Sequence, residues 1–396
     1  MPDQRINLFL SKIHIKGFKS IDDLTVDFVK DLNILIGKNG SGKSNFLEFL
    51  SFIVQPSFPS RNFRHCIFEL SDFDENIFII EYERETPPLD LVKEGIKDRF
   101  QFRQKISYNN QQLYDSDKNE DPQKLIVVDG KRISLRRNLQ NLFRSLGFSF
   151  PPILYIQFNL PQSLDCIDLP GTIKIEISED FNSWETPDTV PLLDDLFWKM
   201  EIAYDLGDLD VEKIEKKSLL KQLKLKDEII ENLRDYSPIK NVRFNSNINI
   251  YKDDDNVIIE NLKLEFLIDD SWLPWIQLSD GTKRIFYVIS EITNNHSGIV
   301  LIEEPELGVH PHQFNLLMDF IKQESESKQI ILSTHSPKSL DHLDFDQLHN
   351  ILISSYHKPN GTLIRHLDKK EEQKAIKYIE EVGFLSDYWL MSDLEK

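Results

Sequence analysis

Only 2 of the 396 residues are cysteine, Cys66 and Cys166, and they stand far apart. That pair supplies neither a zinc-ligand spacing nor a disulfide framework, which suits a reducing compartment. No apolar run approaches the length that spans a bilayer. The start, Met1-Pro2-Asp3-Gln4-Arg5, lacks a basic region followed by an apolar one, so no secretory leader is expected. A cytoplasmic protein without a membrane partner is the expectation. Positive charge is also short: 47 Lys and Arg face 66 Asp and Glu, for a net charge of −19. The pI near 5.0 argues against a broad electropositive surface and tight non-specific nucleic-acid binding. A local basic groove stays compatible with it. There is no internal repeat and no sustained heptad array. The 40% apolar fraction and 26 phenylalanines do supply a core, for one large domain or two smaller ones.

Against that background one stretch stands out, Leu32-Asn33-Ile34-Leu35-Ile36-Gly37-Lys38-Asn39-Gly40-Ser41-Gly42-Lys43-Ser44. An apolar, strand-like run feeds a glycine-rich loop, and the loop runs into Asn45–Leu50, which reads as a helix. This is G-x-x-x-x-G-K-S in the context its chemistry needs. Glycines let backbone N–H groups curl around a phosphate chain without Cβ clashes. The helix start adds positive partial charge. Lys43 reaches the outer phosphates, and the Ser44 hydroxyl is a magnesium ligand.

The flanking chain reads as mixed α/β. Leu10–Ile15 and Leu24–Phe28 alternate as strands around a turn at Gly17-Phe18-Lys19-Ser20. Pro56–Ser60 breaks the chain, Ile77–Tyr82 is a strand, and the polar run Asn110–Gln123 reads as a loop. Pro151-Pro152 leads into a strand at Ile153–Phe158. Leu192, Leu193, Leu196, Phe197 and Met200 share a helical face, and Val211–Leu233 continues helically for a few turns. Strands return at Val257–Ile259 and Leu262–Leu267.

Three later motifs complete a nucleotide site. In Gly298–Glu306 an apolar strand ends in two adjacent carboxylates, Glu303 and Glu304. Successive strand residues point to opposite faces, so the two acids can take different jobs. Glu303 can hold Mg²⁺, and Glu304 can polarise the attacking water. In Gln329–Pro337 a second apolar strand ends in Ser333-Thr334-His335, and His335 can bond a γ-phosphate or that water. In Gln277–Arg284, Ser279 reads as an N-cap and Gly281 keeps the backbone open before a helix through Ile285, Val288, Ile289 and Ile292.

In this order the motifs GKNGSGKS, LSDGTKR, LIEEPELGVHP and ILSTHSP resemble an ABC-type ATPase head of the AAA family. The resemblance is narrower to RecF-like and OLD-like ATPases of bacterial repair and anti-phage defence. It spans Gly37–Pro337, and the segment between about Ser51 and Trp275 carries little of it. It implies a discontinuous α/β head at 1–160 and 240–396, with a mostly helical insertion at 161–239. It implies ATP and Mg²⁺ as cofactors. The nucleotide would be held by Gly37, Asn39, Gly40, Ser41, Gly42, Lys43, Ser44 and Asn45. Glu304 and His335 would be catalytic, and Ser44, Glu303 and Gln157 would be the metal group. Gln157, at the end of a strand, is a candidate for the family's Q-loop glutamine, and Lys19 is a candidate additional phosphate contact. Two heads would face each other head to tail, with Ser279, Asp280, Gly281 and Lys283 of one covering the nucleotide of the other. Leu307–Pro311 would lie across that interface. Two positions depart from the common pattern: Glu303 stands where many such heads have Asp, and Asp280 where transporters have Gly.

OLD proteins that cut DNA carry a nuclease domain after the Ser-Thr-His motif. Here about 60 residues follow Pro337, at the bottom of the usual domain size. They read as a strand at Leu348–Ser354 and a helix through Ala375, Ile376, Ile379 and Val382, so no nuclease is expected. The long coiled coil of SMC-like proteins is missing too. The first expectation is an ATP-gated homodimeric sensor or scaffold for a separate effector such as a nuclease, resembling ATPase subunits of PARIS, Septu and retron-type phage defence. The alternative is a RecF-like repair ATPase clamping DNA, with Lys131-Arg132 and Arg136-Arg137 lining a groove.

Overall fold

The computed structural model describes residues 6–53, 62–74, 76–84, 102–116, 125–128, 131–134, 143, 148–149, 151–157, 171–176, 184–185, 225–247, 249–253, 256–294, 298–392 and 394. The chain divides into two compact units. Unit 1 takes Met1–Ile156, His296–Glu304 and Ile321–Lys396; unit 2 takes Gln157–Asn295 and Pro305–Phe320. These cuts fall at other places than the head and insertion boundaries expected at 160/161 and 239/240.

Unit 1 opens with β1 (Ile6–Asn7), β2 (Phe9–Phe18), β3 (Ile21–Asp27), β4 (Leu32–Gly37) and α1 (Lys43–Phe52). It continues through β5 (His65–Ser71), β6 (Ile77–Arg84), β7 (Phe102–Tyr108), β8 (Gln111–Asp115), the hairpin β9 (Leu125–Val128) and β10 (Lys131–Ser134), β11 (Phe148–Ser149) and β12 (Ile153–Ile156). Unit 2 contributes β13 (Gly171–Glu176), β14 (Trp184–Glu185), α2 (Asp227–Tyr236), β15 (Asn241–Phe244), β16 (Asn249–Asp253), β17 (Asn256–Leu262), β18 (Leu264–Ile268), β19 (Ser271–Pro274) and α3 (Asp280–Asn294). Then follow β20 (Ile299–Glu303), α4 (Pro311–Glu324), β21 (Gln329–Thr334), β22 (Ile351–His357), β23 (Gly361–Arg365), α5 (Lys369–Glu381) and α6 (Leu385–Met391).

Unit 1 is built on a 12-stranded mixed sheet in the order β12-β20-β21-β4-β22-β23-β3-β2-β5-β6-β7-β8. The five strands from β12 to β22 run parallel. From β22 through β23 to β8 every pairing is antiparallel. Parallel strands are covered on both faces, so β4, β20 and β21 are buried at every residue. That is why they read as unbroken apolar runs. β3 keeps one face in water and alternates. The core lies between the sheet and α1: Phe49 meets Phe18 at 4.9 Å and Phe63 at 5.6 Å between ring centroids. β4 sits between β21 and β22, which come later in the chain, so it marks a topological switch point. In such sheets a ligand crevice opens beyond the carboxyl ends of the strands, and the glycine loop leaves from that end of β4.

Unit 2 holds a four-stranded sheet, β14-β13-β17-β16, and a three-stranded one, β15-β18-β19. Phe266, Trp275 and Phe286 make a buried aromatic cluster with centroids 5.0–5.8 Å apart. Asn232 of α2 donates to Thr293 of α3 at 3.0 Å. Among the described residues of 161–239 are two strands, β13 and β14, beside the helix α2. The helical face Leu192–Met200, the run Val211–Lys224 and the break Pro56–Ser60 lie outside the described residues.

Two expectations need correction. The polar run Asn110–Gln123 does not begin as a loop: Gln111–Asp115 is an edge strand paired with β7. The turn is Asn109-Asn110, both with positive φ. The strand expected at Leu348–Ser354 starts later, at Ile351, because Asp344 and Gln347 form a capping box on a 3₁₀ turn over Phe345–Asn350. Cys66 is fully buried in β5, and burial pushes its thiol well above the ordinary range. It is a protonated core residue. No helix among the described residues is long and apolar enough to cross a membrane.

Candidate functional site

The glycine loop turns through two left-handed residues, Gly40 (φ 77°) and Gly42 (φ 100°). A side chain at Gly42 would run into Thr362 of β23, and one at Gly37 would meet the Ser354 carbonyl of β22. The loop is thus pressed between α1 and the β22–β23 hairpin. Ser354 donates to the Ser41 carbonyl at 3.1 Å. The Gly17–Ser20 turn supports the same spot, since Asn45 donates to Ser20 at 2.8 Å and Ser20 shares a 2.8 Å bond with Thr362. Lys19, by contrast, pairs with Glu48 of α1.

Gly42 precedes α1, and neither a side-chain cap nor a first-turn acid covers its start. The opening N–H groups of such a helix have no intrahelical acceptors and attract an anion. Lys38, Asn39, Gly40 and Ser44 are exposed around it, and Lys43 is buried. Its Nζ donates to the Gly37 carbonyl at 2.8 Å and the Lys38 carbonyl at 3.3 Å.

Glu303 is 4% exposed. The pleat places it on the side of Ile299 and Leu301, which pack in one core cluster with Phe46, Phe49 and Leu50 of α1. Its register partner Ser333 therefore shares that side, beneath the helix that starts at Lys43 and Ser44. The Ser333 and Ser41 hydroxyls are buried and have no hydrogen-bond partner among the described residues. Tyr155 donates to Glu303 Oε2 at 2.9 Å.

Glu304 follows with φ 47°, a left-handed backbone unusual for a non-glycine residue. Its N–H donates to the Ser333 carbonyl at 2.9 Å. That kink aims its carboxylate at His335, with Oε1 2.6 Å from Nε2. Lys43 Nζ lies 3.2 Å from Nδ1 and 3.1 Å from Nε2 of the same ring. Lysine can only donate and carboxylate only accept. Nε2 faces the carboxylate, so a ring proton there donates to Glu304, while the Lys43 ammonium lies almost equally close to both ring nitrogens. One continuous cluster, Lys43–His335–Glu304, lies at the mouth of the loop.

The donor set fits a magnesium nucleotide. A cradle of backbone donors opens where Cβ atoms are excluded, with a cation in it, a buried carboxylate and two unspent hydroxyls beside it. Ser44 and Glu303 carry oxygens of the kind magnesium takes, and the Glu304 carboxylate lies against His335 at the mouth of the loop.

The remaining expected residues belong to unit 2. Gln157 directly follows β12 and is half-buried. Ser279 caps α3 as expected, its hydroxyl accepting the Thr282 N–H at 3.1 Å. Ser279 and Asp280 are exposed, Lys283 half-buried with its Nζ 5.5 Å from the Trp275 ring. Gly281 has no room for a Cβ against the Gly308 carbonyl, so the start of α3 packs on the Leu307–Pro311 loop. Sequence reasoning did not single out Tyr155, Ser333, Ser354 or Thr362. Tyr155 stood on an expected strand two residues before Gln157, Ser333 opened the Ser-Thr-His motif without a role of its own, and Ser354 ended an expected strand.

Residues 32–341 match the family model described as "AAA domain, putative AbiEii toxin, Type IV TA system". A Helicobacter pylori protein named ATP/GTP phosphatase is 22% identical over 346 residues, 85% of this chain and 87% of that one. A Vibrio cholerae protein named Retron Vc95 probable ATPase is 26% identical over 365 residues, 81% of this chain and 68% of that one. The SMC head domain of Thermotoga maritima superposes with a TM-score of 0.45 at 12% identity, covering 91% of this chain and 99% of that one.

Proposed function

The chain belongs to this AbiEii-type AAA-domain family, and from that membership we propose that it hydrolyses ATP, closes into a head-to-tail dimer on ATP, and controls a separate effector protein in anti-phage defence. The observation that carries the catalytic part is the Lys43–His335–Glu304 cluster beside the buried Glu303. Lys43 would move from the loop carbonyls to the phosphates. His335 would then hold the γ-phosphate while Glu304 orients and deprotonates water. Magnesium on Ser44 and Glu303 would neutralise phosphate charge as the bond breaks.

The dimer rests on the exposed, capped start of α3 and on its packing against Leu307–Pro311. Ser279 would reach the γ-phosphate across the interface, so dimerisation reports which nucleotide is bound. Ser279→Arg is expected to leave ATP affinity within about twofold and to abolish ATP-dependent dimerisation. A Ser279→Arg protein that still dimerises on ATP rejects this arrangement.

The retron relative supports the sensor–effector reading over a DNA clamp, as does the net charge of −19. The basic side chains of the antiparallel face are also spent in ion pairs: Lys12 with Asp27, Lys16 with Asp23 and Lys105 with Glu81. Lys131 and Arg132 lie on β10, and Arg136-Arg137 lie outside the described residues. Purifying tagged Glu304→Gln protein from its native cells with ATP and Mg²⁺ separates the two readings. A stoichiometric second protein, lost when ATP is removed, is the expected result. Nucleic acid alone, lost at high salt, would replace it with the clamp.

A further inference from the structure

Glu303 carries one methylene more than the aspartate found there in many heads that this sequence resembles. Its carboxylate therefore has an extra torsion to fix before it can serve a metal. β12 pairs in parallel with β20, with Tyr155 opposite Leu301. Tyr155 packs against the same core cluster as Ile299 and Leu301, on the side that carries Glu303 two residues further on. From there its phenol donates to Oε2 of Glu303 at 2.9 Å, across 148 positions of sequence. No other hydrogen bond to the Glu303 carboxylate occurs among the described residues. One oxygen is thereby held by the protein, and the other is left for a cation.

We propose that Tyr155 is a positioning residue for magnesium: its hydroxyl fixes Glu303 in the rotamer that presents a single carboxylate oxygen to the metal. The inference rests on the proposed magnesium–ATP site. Partners one shell out from a metal ligand typically hold 10–100-fold of metal affinity. Tyr155→Phe keeps the ring and its packing and removes only the donor.

The test is equilibrium binding of a fluorescent ATP analogue to the slowly hydrolysing Glu304→Gln protein at increasing Mg²⁺. Tyr155→Phe in that background is expected to raise the Mg²⁺ concentration for half-maximal tightening by about tenfold or more. Affinity measured in EDTA should stay unchanged, which a general loss of structure would not allow. Glu303→Asp withdraws the carboxylate from the phenol, so it should raise the Mg²⁺ requirement by itself. Adding Tyr155→Phe to it should then change little, a non-additive pair. An unshifted Mg²⁺ requirement in Tyr155→Phe, with the parent still Mg²⁺-dependent, overturns the role of Tyr155 alone. A parent without any Mg²⁺-dependent ATP binding overturns the site itself, and this inference with it. Should Tyr155→Phe not fold, full additivity of Glu303→Asp with Tyr155→Trp would overturn the coupling.

Discussion

Glu304→Gln is expected to bind ATP as the parent does and to hydrolyse it at least about 100-fold more slowly. The amide matches the carboxylate in size, so the backbone N–H bond to Ser333 and the contact with His335 survive the change. What disappears is the ability to accept a proton from water. The left-handed backbone at Glu304 argues for that task. A non-glycine residue at φ 47° carries strain of about 1–3 kcal/mol, and here the strain turns the carboxylate towards His335. Single-turnover hydrolysis beside nucleotide binding checks it. Parent-like turnover would remove Glu304 from the chemistry, and lost binding would make it a structural residue.

Lys43→Ala is expected to abolish ATP binding. Lys43 is 4% exposed and is the cation held inside the loop, against two carbonyls and His335. Its removal takes the cation away from the phosphates and leaves the Gly37 and Lys38 carbonyls without that donor. Calorimetric titration should detect no heat of ATP binding, while the far-ultraviolet circular dichroism stays that of the parent. Retained affinity would show that the loop holds something other than a phosphate chain.

How much of this was legible depended on sequence distance. Leu32–Gly37 announced a buried central strand because both its faces are covered, and its glycine loop followed within a few residues. Glu303, Glu304 and His335 were legible for the same reason, each ending an apolar run. Gln111–Asp115 was not: an edge strand with only Leu113 and Asp115 buried has a polar composition, and the two-residue Asn109-Asn110 turn straddles the start of the stretch taken for a loop. Ser354 and Thr362 reach the loop across more than 300 positions, and Tyr155 reaches Glu303 across 148. Strand register brings them there, and register between distant strands is not written in either strand. The left-handed turn at Glu304 is of the same kind, imposed by the Ser333 carbonyl rather than by any local glycine.

ATP is expected to join two copies of the chain through the start of α3. The most direct measurement is the mass of purified Glu304→Gln protein by analytical ultracentrifugation, with and without saturating ATP and Mg²⁺. A shift from the 46.5 kDa of one chain to twice that is expected with ATP, reversed by exchange into ADP. A mass that ignores ATP, in protein shown to have ATP bound, would contradict it.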